Sequence, residues 1–100
     1  MPVYHIVLFR LKPTVTPEQI THWTTLAKNM VGKIPGLLDL KTGSALPICV
    51  PRAKGFNMGL VAILEKESDL EGYAVHPVHL EVHKLREEYC EETLAYDFEF

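Results

Sequence analysis

No stretch of this chain stays apolar for the roughly 20 residues that a bilayer-spanning helix needs, so no membrane association is expected. Met1 to Arg10 enters a strand-like pattern directly, without a signal peptide's cleavage region, and a cytosolic location is the expectation. Basic residues are scattered: ten Lys and Arg face thirteen Asp and Glu, for a net charge of −3. Without a basic stripe to follow a phosphate backbone, nucleic acid is excluded as an expected partner. Cysteine is scarce. Cys49 falls in a proline-rich loop and Cys90 in a helical stretch, which speaks for two free thiols rather than a disulfide. Glu91 and Glu92 beside Cys90 do not make the electropositive setting a reactive thiol needs. Also missing are a Gly-rich phosphate loop, a Ser-His-Asp arrangement on a nucleophile elbow and paired catalytic carboxylates, and no cofactor is expected. Glu87, Glu88, Glu91 and Glu92 read as a solvated helix end.

What is present is the composition of one folded domain over residues 1–100: 47% hydrophobic, 23% charged and free of repetitive tracts. Residues 3 to 11 form an apolar run rich in β-branched and aromatic side chains, a strand that looks buried on both faces. One face carries Val3, His5, Val7, Phe9 and Leu11; the other carries Tyr4, Ile6, Leu8 and Arg10. Thr16, Pro17 and Gln19 make a capping-box helix start. The stripe Ile20, Trp23, Ala27, Met30, Val31 and Ile34 carries that helix towards Pro35-Gly36. Leu37 to Ser44 reads as a strand nearer an edge, Pro47 to Gly55 as a loop and Phe56 to Leu64 as a third strand. Ser68 with Glu71 is a second capping-box pattern before a short helix, and Pro77 opens another with the stripe Val78, Val82, Leu85 and Tyr89. From Thr93 to Phe100, alternation gives a last strand.

The order β-α-β-β-α-β is the ferredoxin-like signature, a four-stranded antiparallel sheet with helices on one face. Helices cover one side only, yet the first and third strands are apolar on both. The uncovered side is then an apolar patch of interface size. A homodimer is expected, with two sheets closing face to face into a barrel.

Function is sought first in Tyr73 to His83, which holds three of the five histidines and one of the four tyrosines around Pro77. His79 falls at the edge of the buried stripe, where an imidazole is part wet and able to move a proton near neutrality. A half-buried histidine bonded to a backbone carbonyl accounts for the same position. His76, before the proline, is read as shaping the helix start. Tyr73 is either a core aromatic or a donor to a ligand. His79 and His83 stand four apart, a metal-ligand spacing, but Leu80 occupies the general-base position and no carboxylate or cysteine completes a shell; no metal is expected. His83 is read as pointing further towards solvent, and His22 as a surface residue.

The segments Tyr4-His5-Ile6-Val7-Leu8-Phe9-Arg10, Ile34-Pro35-Gly36-Leu37 and Tyr73-Ala74-Val75-His76-Pro77-Val78-His79 resemble the stress-responsive dimeric α/β-barrel domain family over essentially the whole chain. Tyr-x-x-His-Pro-x-His is the most specific element. Within the family the chain is most similar to the plant polyketide cyclases. That resemblance implies His79 as general acid/base and Tyr73 as the group polarising a substrate carbonyl, with His5, Trp23, Met58 and Val82 around the pocket. Met58 stands where those cyclases have a further histidine, and Thr24 and Ala27 where they have a phenylalanine and a tyrosine. The activity implied is cofactor-free, intramolecular aldol-type cyclisation of a polyketide-like or phenolic small molecule. A non-catalytic, stress-associated dimer is the alternative. A monooxygenase of the dimeric-barrel type is a third, with no residue pointing to haem or oxygen.

Overall fold

The computed structural model describes residues 1–100. The elements are β1 (Val3–Leu11), α1 (Pro17–Lys28), β2 (Leu37–Ser44), β3 (Met58–Leu64), α2 (Asp69–Val75), α3 (Pro77–Tyr89) and β4 (Cys90–Glu99), with a 3₁₀ turn over Val50–Arg52. The strands form one antiparallel sheet in the order β2-β3-β1-β4, the ferredoxin-like arrangement expected. Central β1 pairs His5 with Ala62 of β3 on one side and with Asp97 of β4 on the other. That register places an acid of the last strand beside a histidine of the first.

The core lies between the sheet and its helices. Val3, Val7 and Phe9 of β1 and Leu60, Ala62 and Leu64 of β3 meet Trp23, Ala27, Val82 and Tyr89 from the helices. The Trp23 ring sits edge-on to Phe9 and Tyr89, centroids 4.8 and 6.1 Å away. Period-two burial on the strands and helical spacing on α1 and α3 thus converge on one apolar layer.

The helix starts differ in how they are held. Thr16 is extended and makes both capping-box bonds with Gln19, at 2.9 and 3.2 Å. His76 is also extended, and its Nδ1 accepts from the Val78 N–H at 3.1 Å, so it caps α3 as its place before Pro77 suggested. Ser68 makes no side-chain cap: its backbone is already helical, which turns the hydroxyl away from the free N–H groups, and the expected second capping box does not form. Asp69 and Glu71 still place negative charge at that helix end.

Three boundaries move. α1 stops at Lys28 instead of continuing to Pro35: Asn29 caps it, its N–H shared between the Thr25 and Ala27 carbonyls, and the chain goes on in tighter turns that include left-handed Gly32 at φ +89°. Met30 and Ile34 remain buried through turns, one of them closed by the Ile34 N–H to Met30 carbonyl bond at 3.1 Å. β3 starts at Met58, not Phe56, yet Asn57 still joins the sheet: its N–H donates to the Phe9 carbonyl and its Oδ1 accepts from Leu11. β4 begins at Cys90 directly from α3, and its register against β1 shifts between Arg10 and Leu11, leaving Glu91 as the extra residue on β4.

The opposite face of the sheet is uncovered. Leu8, Val61, Leu94, Tyr96, Phe98 and Phe100 are 37–63% exposed there, and Tyr4 stacks on Phe100 with centroids 4.0 Å apart.

Candidate active site

Pro77 separates α2 from α3 by fixing its own φ and forcing His76 into extended backbone. That break lets Tyr73, near the end of one helix, fold back against His79 in the first turns of the next; the ring centroids are 4.4 Å apart. His5 reaches the same spot from the sheet, edge-on to Tyr73 at 5.2 Å. These three rings and Asp97 form one end of a cavity of about 400 Å³ between α3 and the inner faces of β1 and β4. Val7, Phe9, Leu60 and Val82 supply its apolar walls. His83 and Arg86 follow His79 along α3, towards Ala95 on the adjoining strand.

The two central groups have complementary protonation. Burial pushes the Tyr73 phenol up to about 12, with the Asp97 charge adding to the effect, so the hydroxyl stays a neutral donor. The His79 imidazole is held below its ordinary value, chiefly because burial penalises the cation; nearby His83, His5 and Arg86 act in the same direction. Its bond to the Ala74 carbonyl opposes the shift without reversing it. In that bond Nδ1–H donates to the carbonyl oxygen at 3.1 Å, which leaves the lone pair on Nε2 free to accept a proton. His5 is bound through Nδ1 to the Asp97 carboxylate, which fixes the ring's orientation. A neutral base, a neutral acid and an oriented imidazole thus share one concave site, an arrangement suited to proton transfer beside a carbonyl.

Of the residues singled out from the sequence, His5, Tyr73, His79 and Val82 come together around this cavity. Trp23 and Met58 do not line it. Phe9 faces the cavity and Trp23 packs behind it, in the core. Met58, at the start of β3, is buried beside a separate shallow depression with Leu11, Ile20 and Thr24. His83 is turned inward enough to line the cavity rim, although its side chain stays 38% exposed. Asp97 and Arg86 carried no mark in the sequence reading. Asp97 was detectable only as a charged residue alternating with the aromatics of the last strand. Arg86 follows His79 by seven residues and so returns to the same helix face.

A family model described as the stress responsive A/B barrel domain matches residues 3–100. The chain belongs to this family. Among solved structures, it is similar to a dimeric ferredoxin-like protein of unknown function from Thermobifida fusca, at 28% identity and a TM-score of 0.85 over 100% of this chain and 92% of that one. It is also similar to hydroxynitrile lyase from Passiflora edulis, at 26% identity and a TM-score of 0.86 over 97% and 91% of the two chains. An Arabidopsis thaliana protein shares the fold at 22% identity and a TM-score of 0.89, over 98% and 94%. No curated protein matches the sequence. The solved structures similar to this chain thus include one lyase and one protein of unknown function, and the chemistry of this chain has to be argued from its own cavity.

Proposed function

We propose that this A/B barrel protein is a cofactor-independent acid–base enzyme that cyclises a polyketide-like or phenolic carbonyl compound by an intramolecular aldol-type reaction. The observation that carries the reading is the Tyr73–His79 contact inside a cavity large enough for a small molecule, with His5 at its edge. His79 Nε2 removes a proton from the carbon beside one carbonyl while the Tyr73 hydroxyl donates to the developing enolate oxygen. The enolate carbon then attacks a second carbonyl of the same molecule, and the proton held by His79 passes to the new alkoxide. The apolar walls formed by Val7, Phe9, Leu60 and Val82 keep competing water from the enolate.

The cavity favours this reading over a purely structural dimer, in which the same side chains would be packed without a void. The likeness to a hydroxynitrile lyase supports a second reading: His79 takes the hydroxyl proton of a small hydroxynitrile, and cyanide leaves as the carbonyl forms. The active unit we propose is a homodimer. Support comes from the exposed apolar sheet face and from the dimeric Thermobifida fusca protein.

Heptane-2,4,6-trione provides a direct test, since aldol closure between its first and sixth carbons with loss of water gives orcinol. The protein is expected to accelerate orcinol formation above buffer. His79→Ala should lower kcat by about 10²–10⁴-fold, and Tyr73→Phe by roughly 10-fold or more. An unchanged rate in His79→Ala would remove the assignment. Release of cyanide from mandelonitrile, with no orcinol formed, would favour the second reading.

A further inference from the structure

The cavity's second polar feature lies two helical turns beyond His79, about 10 Å along the axis of α3. There the side chains of His83 and Arg86 converge on one carboxylate oxygen. The Arg86 Nη2 donates to Glu87 Oε1 at 3.0 Å, and His83 Nε2 lies 3.1 Å from the same atom. Nη2 and Nε2 are themselves 3.3 Å apart. Both Arg86 and His83 line the cavity; Glu87 does not, and its side chain is 65% exposed. A planar guanidinium, 28% exposed and lining the cavity, therefore has a single exposed surface carboxylate as its acid partner, one that solvent can accept with little penalty. The one acid that does line the cavity, Asp97, is engaged with His5.

We propose that Arg86, assisted by His83, anchors a carboxylate carried by the substrate, so that the cavity binds a carboxylate-bearing molecule more tightly than its neutral counterpart. Glu87 pairs with that anchor and swings outward when the ligand's carboxylate takes its place. This rests on the reading of the cavity as a small-molecule site and adds the charge class of what enters it. A carboxylate held by Arg86 fixes the far end of the molecule while its carbonyl end lies between Tyr73 and His79. The base then meets the carbon next to that carbonyl without a search over orientations.

The test uses 4-hydroxyphenylacetate and its uncharged isostere 4-hydroxyphenylacetamide, titrated into ¹⁵N-labelled protein and followed at the amides flanking Tyr73, His79 and Arg86. The acid is expected to bind at least tenfold more tightly than the amide at low salt. Arg86→Gln should bring the ratio of the two affinities close to one. Glu87→Gln, which removes the resident carboxylate, should raise affinity for the acid several-fold. Equal binding of acid and amide to the unmodified protein, or a preference that survives Arg86→Gln, would overturn the anchor while leaving the cavity reading intact. Binding of neither probe near His79 would overturn both.

Discussion

His79 and Tyr73 are displaced in opposite directions from their ordinary titrations, and the signs fix how the protein should respond to pH. For His79 the folded value lies below the usual 6.5 because burial disfavours the imidazolium. As a base it must be neutral, so kcat/KM should rise with pH through a midpoint below 6.5 and then stay level through neutrality. A midpoint above 7 in a pH–rate profile would exclude His79 as the base. The same shift is a stability statement. Between 6.5 and the lower folded value the unfolded chain binds more protons, so His79's contribution is intact above 6.5 and is lost as pH falls through the folded value. Tyr73 behaves in the mirror sense. Its phenol, raised from 10 to about 12, favours the folded state fully below pH 10 and loses that advantage as pH rises through about 12. Two units correspond to about 3 kcal/mol of resistance to ionisation. Tyr73→Phe should therefore unfold at a higher alkaline midpoint than the unmodified protein when circular dichroism is followed against pH. An unchanged midpoint would mean that another group governs alkaline unfolding.

Among the elements, the three helix starts make a contrast that denaturant can measure. Thr16→Ala removes a reciprocal capping box and should cost about 1 kcal/mol in urea unfolding. Ser68→Ala removes a side chain that caps nothing and should fall within about 0.5 kcal/mol of zero. If the two variants were equally destabilised, capping would not explain the difference between these helix starts. The contrast also shows what local pattern carries. Thr-Pro-x-Gln and His-Pro each force an extended residue before a fixed φ, so cap and backbone agree and the sequence is sufficient. Ser-x-x-Glu asks for an extended Ser68, and the turn arriving from β3 denies it. Apolar runs for β1 and β3, a more polar stretch for β2 and period-two alternation for β4 recovered all four strands to within three residues at either end. The site was legible where its members are close in the chain, as Tyr73 and His79 are, or where a histidine interrupts an apolar face, as His5 does. Asp97 became meaningful only once the β1–β4 register set it against His5 across the whole length of the chain. Trp23 shows the converse. An aromatic on a buried stripe looks the same from the sequence whether it lines a cavity or stands one layer behind, and the Phe9 ring decides.

At the scale of the molecule, the sheet leaves its outer face with more apolar surface than a stable monomer usually shows. Leu94, Tyr96 and Phe98 project from one side of β4 with Phe100 just beyond its end, and Tyr4 joins them from β1 through contacts with both phenylalanines. β4 is an edge strand, so the patch reaches the rim of the sheet. A patch of this kind fits a two-fold interface, where the same surface serves both partners and aromatic side chains supply most of the contact energy. Symmetry also makes the patch easy to break. One substitution enters the interface twice, and Tyr96→Glu would bring two carboxylates into a desolvated region, at a cost of several kcal/mol for each charge left unpaired. Light scattering after size exclusion should give twice the chain mass for the unmodified protein and a single chain mass for Tyr96→Glu. Tyr96 is 63% exposed in the single chain, so the variant should keep its far-ultraviolet circular dichroism. The same β4 carries Ala95 and Asp97 on its other face, into the cavity. Loss of the partner should therefore loosen the strand that holds Asp97 against His5, and orcinol formation should fall together with the dimer. A monomeric Tyr96→Glu that retained full activity would show that each chain is a complete catalyst by itself; a Tyr96→Glu that stayed dimeric would place the interface elsewhere.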